Sequence, residues 1–536
     1  MSSRLRNYLP VPLLLALGSI AAGVFYGGHA SAASAPDDSV NKSLKSFTQI
    51  YDVVEQNFAE PVKPETAIYK GAIPGMLRTL DPHSNFFDPK EYATMREDQR
   101  GRYFGTGMMV APRSGKTVVV QVFTGSPAAK AGLRPGDVIM EVNDKKTAGL
   151  GVSDVADLLR GPRGTHVQLA IGRDCLDQPA TFNLIRDEIP RSSVSEAFWF
   201  RPGIAYIQVK NFSDENTGKE LDDNLKKIGE KDIKGLILDL RENPGGLLNE
   251  GIEVAGHFLK KNELVVSHRG RTQPNKNYTA RSDNGGKDYP LVVLVNSHSA
   301  SAAEIVSGAL QDHDRAWILG ETTFGKGLVQ TVFPLSENTG LALTTMHYYT
   351  PSGRLIQRDY SNISFLDYYY NTGNHDQKNL SDVKMTDSGR TVYGGGGITP
   401  DEKYEAPKLN KFQIEVLSKF AIFNFSAQFF CARPDHSLAR GWEPDDSVVD
   451  QFRGYLKKTD VAVTDADFTA NRQWVKEQLK AQMYLAAFSN EAADRVRIEQ
   501  DPEVLKAAES MPKAKALLDS AKKQLVQRLS QQKNAE

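Results

Sequence analysis

The chain has 536 residues, with 65 basic and 66 acidic side chains and a formal net charge of −1. That length exceeds one hydrophobic core and predicts about two to four domains. Near-neutral charge excludes a nucleic-acid partner held by bulk electrostatics. Two cysteines, Cys175 and Cys431, with no His/Cys cluster beside them, exclude a zinc site and leave their pairing open.

Arg4 and Arg6 precede an apolar stretch from Leu13 to Phe25, and Ala30-Ser31-Ala32 follows it. Charged, apolar and small residues in that order read as a secretory signal cleaved after Ala32. The stretch is short against the about 20 residues of a spanning helix, so an uncleaved anchor is the alternative for residues 1–32. No second run of spanning length follows. The protein is expected to be exported, periplasmic or extracellular, and tied to the inner membrane only if this segment is retained.

Residues 33–43 read as a linker. Leu44, Phe47, Ile50, Tyr51, Val54 and Phe58 then recur at helical spacing. Pro61 and Pro64 interrupt the pattern, and a second helix is expected over Glu65–Thr79, ended by Leu80-Asp81-Pro82-His83-Ser84. Residues 40–100 are therefore an N-terminal helical segment.

Residues 102–190 alternate short strands (Val118–Val122, Val138–Val142, Val167–Ile171) with two helices, enough for a compact domain. Over residues 191–405, strands at Ile204–Val209, Leu236–Leu240, Leu291–Val295, Ala316–Leu319 and Leu341–Tyr348 alternate with helices near Thr217–Ile228, Leu247–Leu259 and Ala302–Leu310. Such alternation predicts an α/β sheet layered with helices. Residues 360–398, rich in Tyr, Asn and Gly, read as irregular. Residues 408–536 read as a charged helical extension, with Trp474, Val475, Leu479 and Met483 on one stripe. The fold class is α/β and multidomain.

Two loops in the sheet region carry chemistry. Ser301 follows the strand Leu291–Val295 and opens a helix; Lys326 follows Ala316–Leu319. Both lie just past a strand end, where α/β sheets place their sites. A serine hydroxyl at a helix N-terminus has backbone N–H groups available to a developing oxyanion, although an ordinary N-cap uses the same residue type, and Ser299 or Ser301 could be one. A lysine is a base at neutral pH only when burial lowers its pKa, and the neighbours of Lys326 include no acid. On an extended segment Gln330 would share its face and could hold the amine. Two rivals are weaker. Gly320-x-x-x-x-Gly325-Lys326 begins like a P-loop, but Gly327 stands where a Ser or Thr should bind magnesium, and a strand follows rather than a helix. His298, three residues before Ser301, is the other candidate base. Asp239-Leu240-Arg241-Glu242-Asn243-Pro244-Gly245-Gly246, after another strand, is either a tight turn or a source of oxyanion N–H groups.

These strings, in this order, resemble the C-terminal processing peptidases: Leu80-Asp81-Pro82-His83-Ser84, Gly132-Leu133-Arg134-Pro135-Gly136-Asp137, Leu240 to Gly246, Ser299-Ala300-Ser301-Ala302-Ala303-Glu304-Ile305 and Thr323 to Gln330. The likeness spans roughly residues 40–405. It implies a serine endopeptidase with Ser301 as nucleophile, Lys326 as base, Gln330 orienting the lysine, and an oxyanion hole from N–H groups near Gly245 and Ala302. Ala303 stands where the family commonly has serine. The resemblance also makes residues 102–190 a PDZ domain. There Phe104-Gly105-Thr106-Gly107 and Met108 are expected to hold a substrate's C-terminal tail, and Arg160 to couple that domain to the active site. No cofactor or metal is expected. A homodimer through the terminal helices and an adaptor protein enter only by family analogy. The competing reading is a non-catalytic scaffold that binds C-terminal peptides.

Overall fold

The computed structural model describes residues 38–533 apart from Cys175, Glu196, 272–273, 283–286, 362, 365–366, 369–378, 432, 434–437, 460 and 462. The expected signal or anchor at 1–32 lies outside the described residues, as does Cys175. Cys431 is disulfide-bonded. No helix among the described residues is long and apolar enough to cross a membrane.

The chain divides at Met76. The N-terminal unit holds helix α1 (Asp38–Asn57), which buries none of its residues. Leu44, Phe47, Ile50 and Val54 stand exposed along it. The expected second helix is present but carries a π-helical turn at Ile68–Ala72.

In the larger unit, residues 102–190 form strands β1 (Arg102–Gly105), β2 (Met108–Arg113), β3 (Lys116–Val122) and β4 (Val138–Val142), helix α2 (Val152–Leu159), and strands β5 (His166–Gly172), β6 (Ala180–Ile185) and β7 (Asp187–Pro190). The order β2-β3-β4-β5-β6 leaves β2 at an edge, while β1 pairs with β7. Val119, Ile139, Val155, Leu159 and Leu169 fill the core between sheet and α2.

The central sheet contains β8 (Phe198–Arg201), β9 (Ile204–Gln208), β10 (Gly235–Asp239), β12 (Leu291–Val295), β13 (Trp317–Gly320) and β16 (Glu402–Lys403), in the order β8-β9-β10-β12-β13-β16. It is parallel except for the β8–β9 hairpin. Every residue of β10 and β12 is buried, which is why these strands read as unbroken apolar runs rather than alternating ones. Helices α3 (Thr217–Ile228), α4 (Leu248–Gly256) and α5 (Ala302–Asp312) contribute Leu221, Leu225, Ile252, Ala255, Val306 and Leu310 to the core on one face. A second, antiparallel sheet contains β11 (Leu264–Gly270), β14 (Leu328–Pro334) and β15 (Gly340–Tyr349). Strand β11 was not anticipated, and neither was the hairpin Asn379–Met385/Thr391–Gly394 inside the stretch read as irregular.

The extension begins with a core of its own. Helices α6 (Ala421–Cys431), α7 (Asp446–Leu456) and α8 (Arg472–Ala487) enclose Phe425, Phe429, Phe452, Phe468, Leu479 and Met483. Two neighbours clasp the 102–190 domain: the Arg113 guanidinium lies 3.8 and 4.0 Å from the Phe420 and Phe423 ring centres. Helices α9 (Asn490–Gln500), α10 (Pro502–Glu509) and α11 (Met511–Lys533) then leave that core. Val504, Ala507, Met511 and Ala514 pack on Tyr206, Ile237, Val292, Leu294 and Leu319, covering the second face of the central sheet. The result is a three-layer arrangement whose third layer comes from the end of the chain.

Candidate active site

The β12 strand ends in a loop whose Ser299 is fully buried, its Oγ donating to the Leu240 carbonyl at 2.7 Å. Ser299 therefore fastens the loop, and Ser301 occupies the N-cap of α5. Ser301 has φ 55° and ψ −114°, a conformation that few non-glycine residues adopt. Backbone strain of this kind collects where a side chain must be presented at a fixed angle, as on the sharp strand-to-helix turns that carry nucleophilic serines.

Glu304, one turn into α5, links that serine to the lysine loop. Its carboxylate accepts from the N–H groups of Ser301 (2.9 Å), Gly325 (2.7 Å) and Lys326 (2.8 Å), and from the Thr323 hydroxyl. The carboxylate is completely buried; burial raises its pKa and these hydrogen bonds pull it back. A second tie is the Tyr348 hydroxyl, which lies between the backbone carbonyls of Lys326 and Ser301, 2.9 Å from the latter. Sequence reasoning missed both residues. The signal for Glu304 was present, since Ser-x-x-Glu opening an apolar helix is a capping box. No local pattern marks Tyr348.

Lys326 is largely buried and its pKa is lowered, chiefly by desolvation, with Glu304 and Asp81 opposing. Its Nζ donates to Gln330 Oε1 at 2.9 Å, and Gln330 Nε2 donates in turn to the His83 carbonyl. The Asp81–Ser84 turn that presents this carbonyl is closed by Asp81, which accepts from the His83 and Ser84 N–H groups and from the Ser84 hydroxyl. His83 itself belongs to the Leu80–Ser84 string, which carries no local sign of this contact. Burial, and then the charge of Lys326, push its pKa down to about 3, which keeps the ring neutral.

Gly245 completes the pocket wall. A Cβ on it would meet Ser301 Cβ at 2.6 Å and Ala302 N at 2.9 Å, and its φ is 93°, so only glycine brings the backbone this close. Its N–H already donates to Asn243 Oδ1 at 2.8 Å, whereas the Ala302 N–H meets no acceptor among the described residues. His298 is exposed, with Nδ1 3.1 Å from Glu242 Oε1.

Of the residues expected to hold a tail, Thr106, Met108 and Arg160 line a separate cleft of about 830 Å³ between β2 and α2, whereas Phe104, Gly105 and Gly107 do not. Val152, Ala156 and Leu159 line it as well. Phe104 and Gly105 belong to β1 rather than to a loop, leaving Thr106-Gly107 as the turn into β2. Gly107 has φ 79°, and a Cβ there would strike Ser126 Cβ at 2.2 Å. Arg160 sits 5.4 Å from the Tyr103 ring centre, with Arg191 at 4.8 Å from the same ring.

The model of peptidase family S41 matches residues 203–362, that of a PDZ domain residues 118–173, and that of the activating protease CtpB N-terminal domain residues 26–91. The chain is 40% identical over 321 residues to a carboxy-terminal-processing protease of Bartonella bacilliformis, covering 59% of this chain and 73% of that protein. It is 38% identical over 311 residues to the carboxyl-terminal-processing protease of Synechocystis sp., covering 57% and 72%. It is 32% identical over 325 residues to the carboxy-terminal processing protease CtpB of Bacillus subtilis, covering 60% and 67%.

Proposed function

The chain belongs to peptidase family S41, the carboxy-terminal processing proteases, and from that premise we propose that Ser301, Lys326 and Gln330 form its catalytic centre. It is a serine peptidase with a PDZ domain. The observation that carries the residue assignment is the buried Glu304 carboxylate, which ties the strained serine to a desolvated lysine. In this reading the neutral Lys326 amine takes the Ser301 hydroxyl proton as Oγ bonds to the scissile carbonyl carbon. The resulting oxyanion is met by the Ala302 N–H at the α5 N-terminus, beside the Gly245 backbone. Collapse breaks the C–N bond, the leaving amine takes the proton from Lys326, and water repeats the cycle on the acyl-enzyme. Gln330 holds the amine as a neutral partner, so it adds no counter-charge to those of Glu304 and Asp81, which already oppose the desolvation of Lys326.

Because Lys326 acts deprotonated, cleavage rises with pH through its pKa. Gln330→Glu places an anion against the amine and is expected to move the acidic limb of kcat/KM upward by about 1–2 pH units. A pH–rate profile checks this; an unmoved limb would assign that limb to another group.

The cleft between β2 and α2 takes the substrate's C-terminal tail. An extended peptide adds to the free β2 edge, the Thr106-Gly107 turn meets its carboxylate, Met108 and Leu159 take its apolar side chain, and Arg160 reports occupancy to the protease. Phe104 and Gly105 anchor this turn from β1. Filling the cleft by Ala156→Trp is expected to raise KM for a tailed reporter about tenfold or more while leaving kcat within about twofold. Equal KM values for the two proteins would move tail recognition elsewhere. The wider proposal assigns residues 1–32 to export as a signal or retained anchor. It assigns 40–100 to an N-terminal helical segment, 102–190 to the PDZ domain, 191–405 to the protease core and 408–536 to the extension. The exposed apolar stripe of α1 supports dimerisation through a terminal helix.

A further inference from the structure

We propose that Asp501 and Glu503, carried by the C-terminal extension, are positioning residues for peptide-bond cleavage, acting through Arg241 on the turn that faces Ser301. The inference rests on the Ser/Lys reading above and extends it to a part of the chain given no role there.

Arg241 lies two residues past the end of β10 and is mostly buried. It donates from Nε and Nη2 to the fully buried Asp239, whose Oδ2 also accepts from the Tyr206 hydroxyl at 2.8 Å. Two-residue neighbours on a strand end cannot alone fix a guanidinium, because the outer edge of its fork would face solvent. The extension closes that edge. Asp501, the N-cap of α10, reaches Nη2 at 2.9 Å, and Glu503 Oε2 accepts from Nη1 at 2.7 Å. Gly320, at the end of β13, makes room: a Cβ there would meet Glu503 Oε1 at 2.9 Å.

The turn held in this way is hydrogen-bonded to the nucleophile loop at several points. The Glu242 N–H donates to Asn296 Oδ1, the Asn296 side-chain amide donates back to Glu242, and the Ala300 N–H donates to the Asn243 carbonyl. Asn243 Oδ1 then fixes the N–H of Gly245, the residue whose backbone abuts Ser301 and Ala302. A shift of the guanidinium thus passes through Glu242 and Asn243 to the wall of the oxyanion site. Three carboxylates around one guanidinium exceed its charge, and Glu503, the partly buried third, has its pKa raised to about 7, mainly by desolvation. Its role is accordingly that of a hydrogen-bond acceptor, which an amide can also fill.

The test uses the full chain and compares Glu503→Ala with Glu503→Gln. Each is assayed for kcat and KM on a tailed reporter, for tail-peptide affinity, and for amide hydrogen exchange over residues 242–246. Loss of the acceptor in Glu503→Ala is expected to lower kcat about 10- to 100-fold and to speed exchange in that turn. KM and tail affinity stay unchanged, and Glu503→Gln returns most of the rate. Wild-type kcat in Glu503→Ala, or a loss of kcat with exchange at 242–246 unaltered, would overturn the inference. An inactive wild type would instead sink the Ser/Lys reading, while exchange in the turn would still decide whether the extension holds it.

Discussion

Ser301→Ala and Lys326→Ala are each expected to lower kcat by on the order of 10⁴-fold or more, while His298→Ala stays within about twofold of wild type. The contrast follows from placement. Lys326 is desolvated, which lowers its pKa, and is held by a neutral amide, the setting that the proposed role as base requires. His298 stands in solvent against Glu242. Steady-state cleavage of a tailed reporter, with circular dichroism to confirm folding, separates the outcomes. An inactive His298→Ala beside an active Lys326→Ala would reassign the base to the imidazole. Binding of tails by wild type without any cleavage would instead return the chain to a peptide-binding scaffold.

Glu304→Gln is expected to be the most damaging isosteric change. The carboxylate accepts from three backbone N–H groups and a hydroxyl with no solvent near. An amide offers one oxygen and turns an NH2 toward donors it cannot accept from, and each buried donor left unpaired costs about 1–3 kcal/mol. The serine and lysine loops should separate slightly, lowering kcat by about 100-fold or more and depressing the thermal midpoint. Because Tyr348 still touches both loops, folding is expected to survive. Near wild-type turnover would mean that Tyr348 alone sets the spacing.

The parts of this fold that local pattern determines were readable. Leu291–Val295 and the Ala- and Val-rich turns of α5 announced themselves because a parallel strand buried on both faces, and a helix buried all round, have no polar face to confuse the period. Strand β11 escaped because Ser267, His268 and Arg269 dilute its apolar start, although Ser267 and His268 are buried in the second sheet. The Asn379–Met385 strand escaped for the same reason, since Asn379, Ser381, Asp382 and Lys384 interrupt its apolar residues with the polar ones expected of a loop. At the site, Ser301 and Lys326 lie on short segments beside strand ends, Gln330 lies within β14 four residues on from the lysine, and all three could be picked out. The bond from Gln330 to the His83 carbonyl and the pair Arg241–Glu503 span 247 and 262 residues of chain. Contacts that distant leave no period or spacing behind. The stripe on the extension said that it packs, but an apolar stripe does not name the surface it packs against.

The layer that α10 and α11 lay over the central sheet has a consequence in time. Chains emerge from the ribosome N-terminus first, and every strand of that sheet, with both reactive loops, precedes Asp501. Until the final helices arrive, Ile237, Val292, Leu294 and Leu319 have no cover on that side, and Arg241 lacks two of its carboxylate partners. A half-made chain therefore already holds its serine and lysine yet cannot close the scaffold around them. On the proposed reading, a chain cut short before Asp501 is therefore expected to keep Ser301 and Lys326 yet to turn over slowly, as Glu503→Ala does.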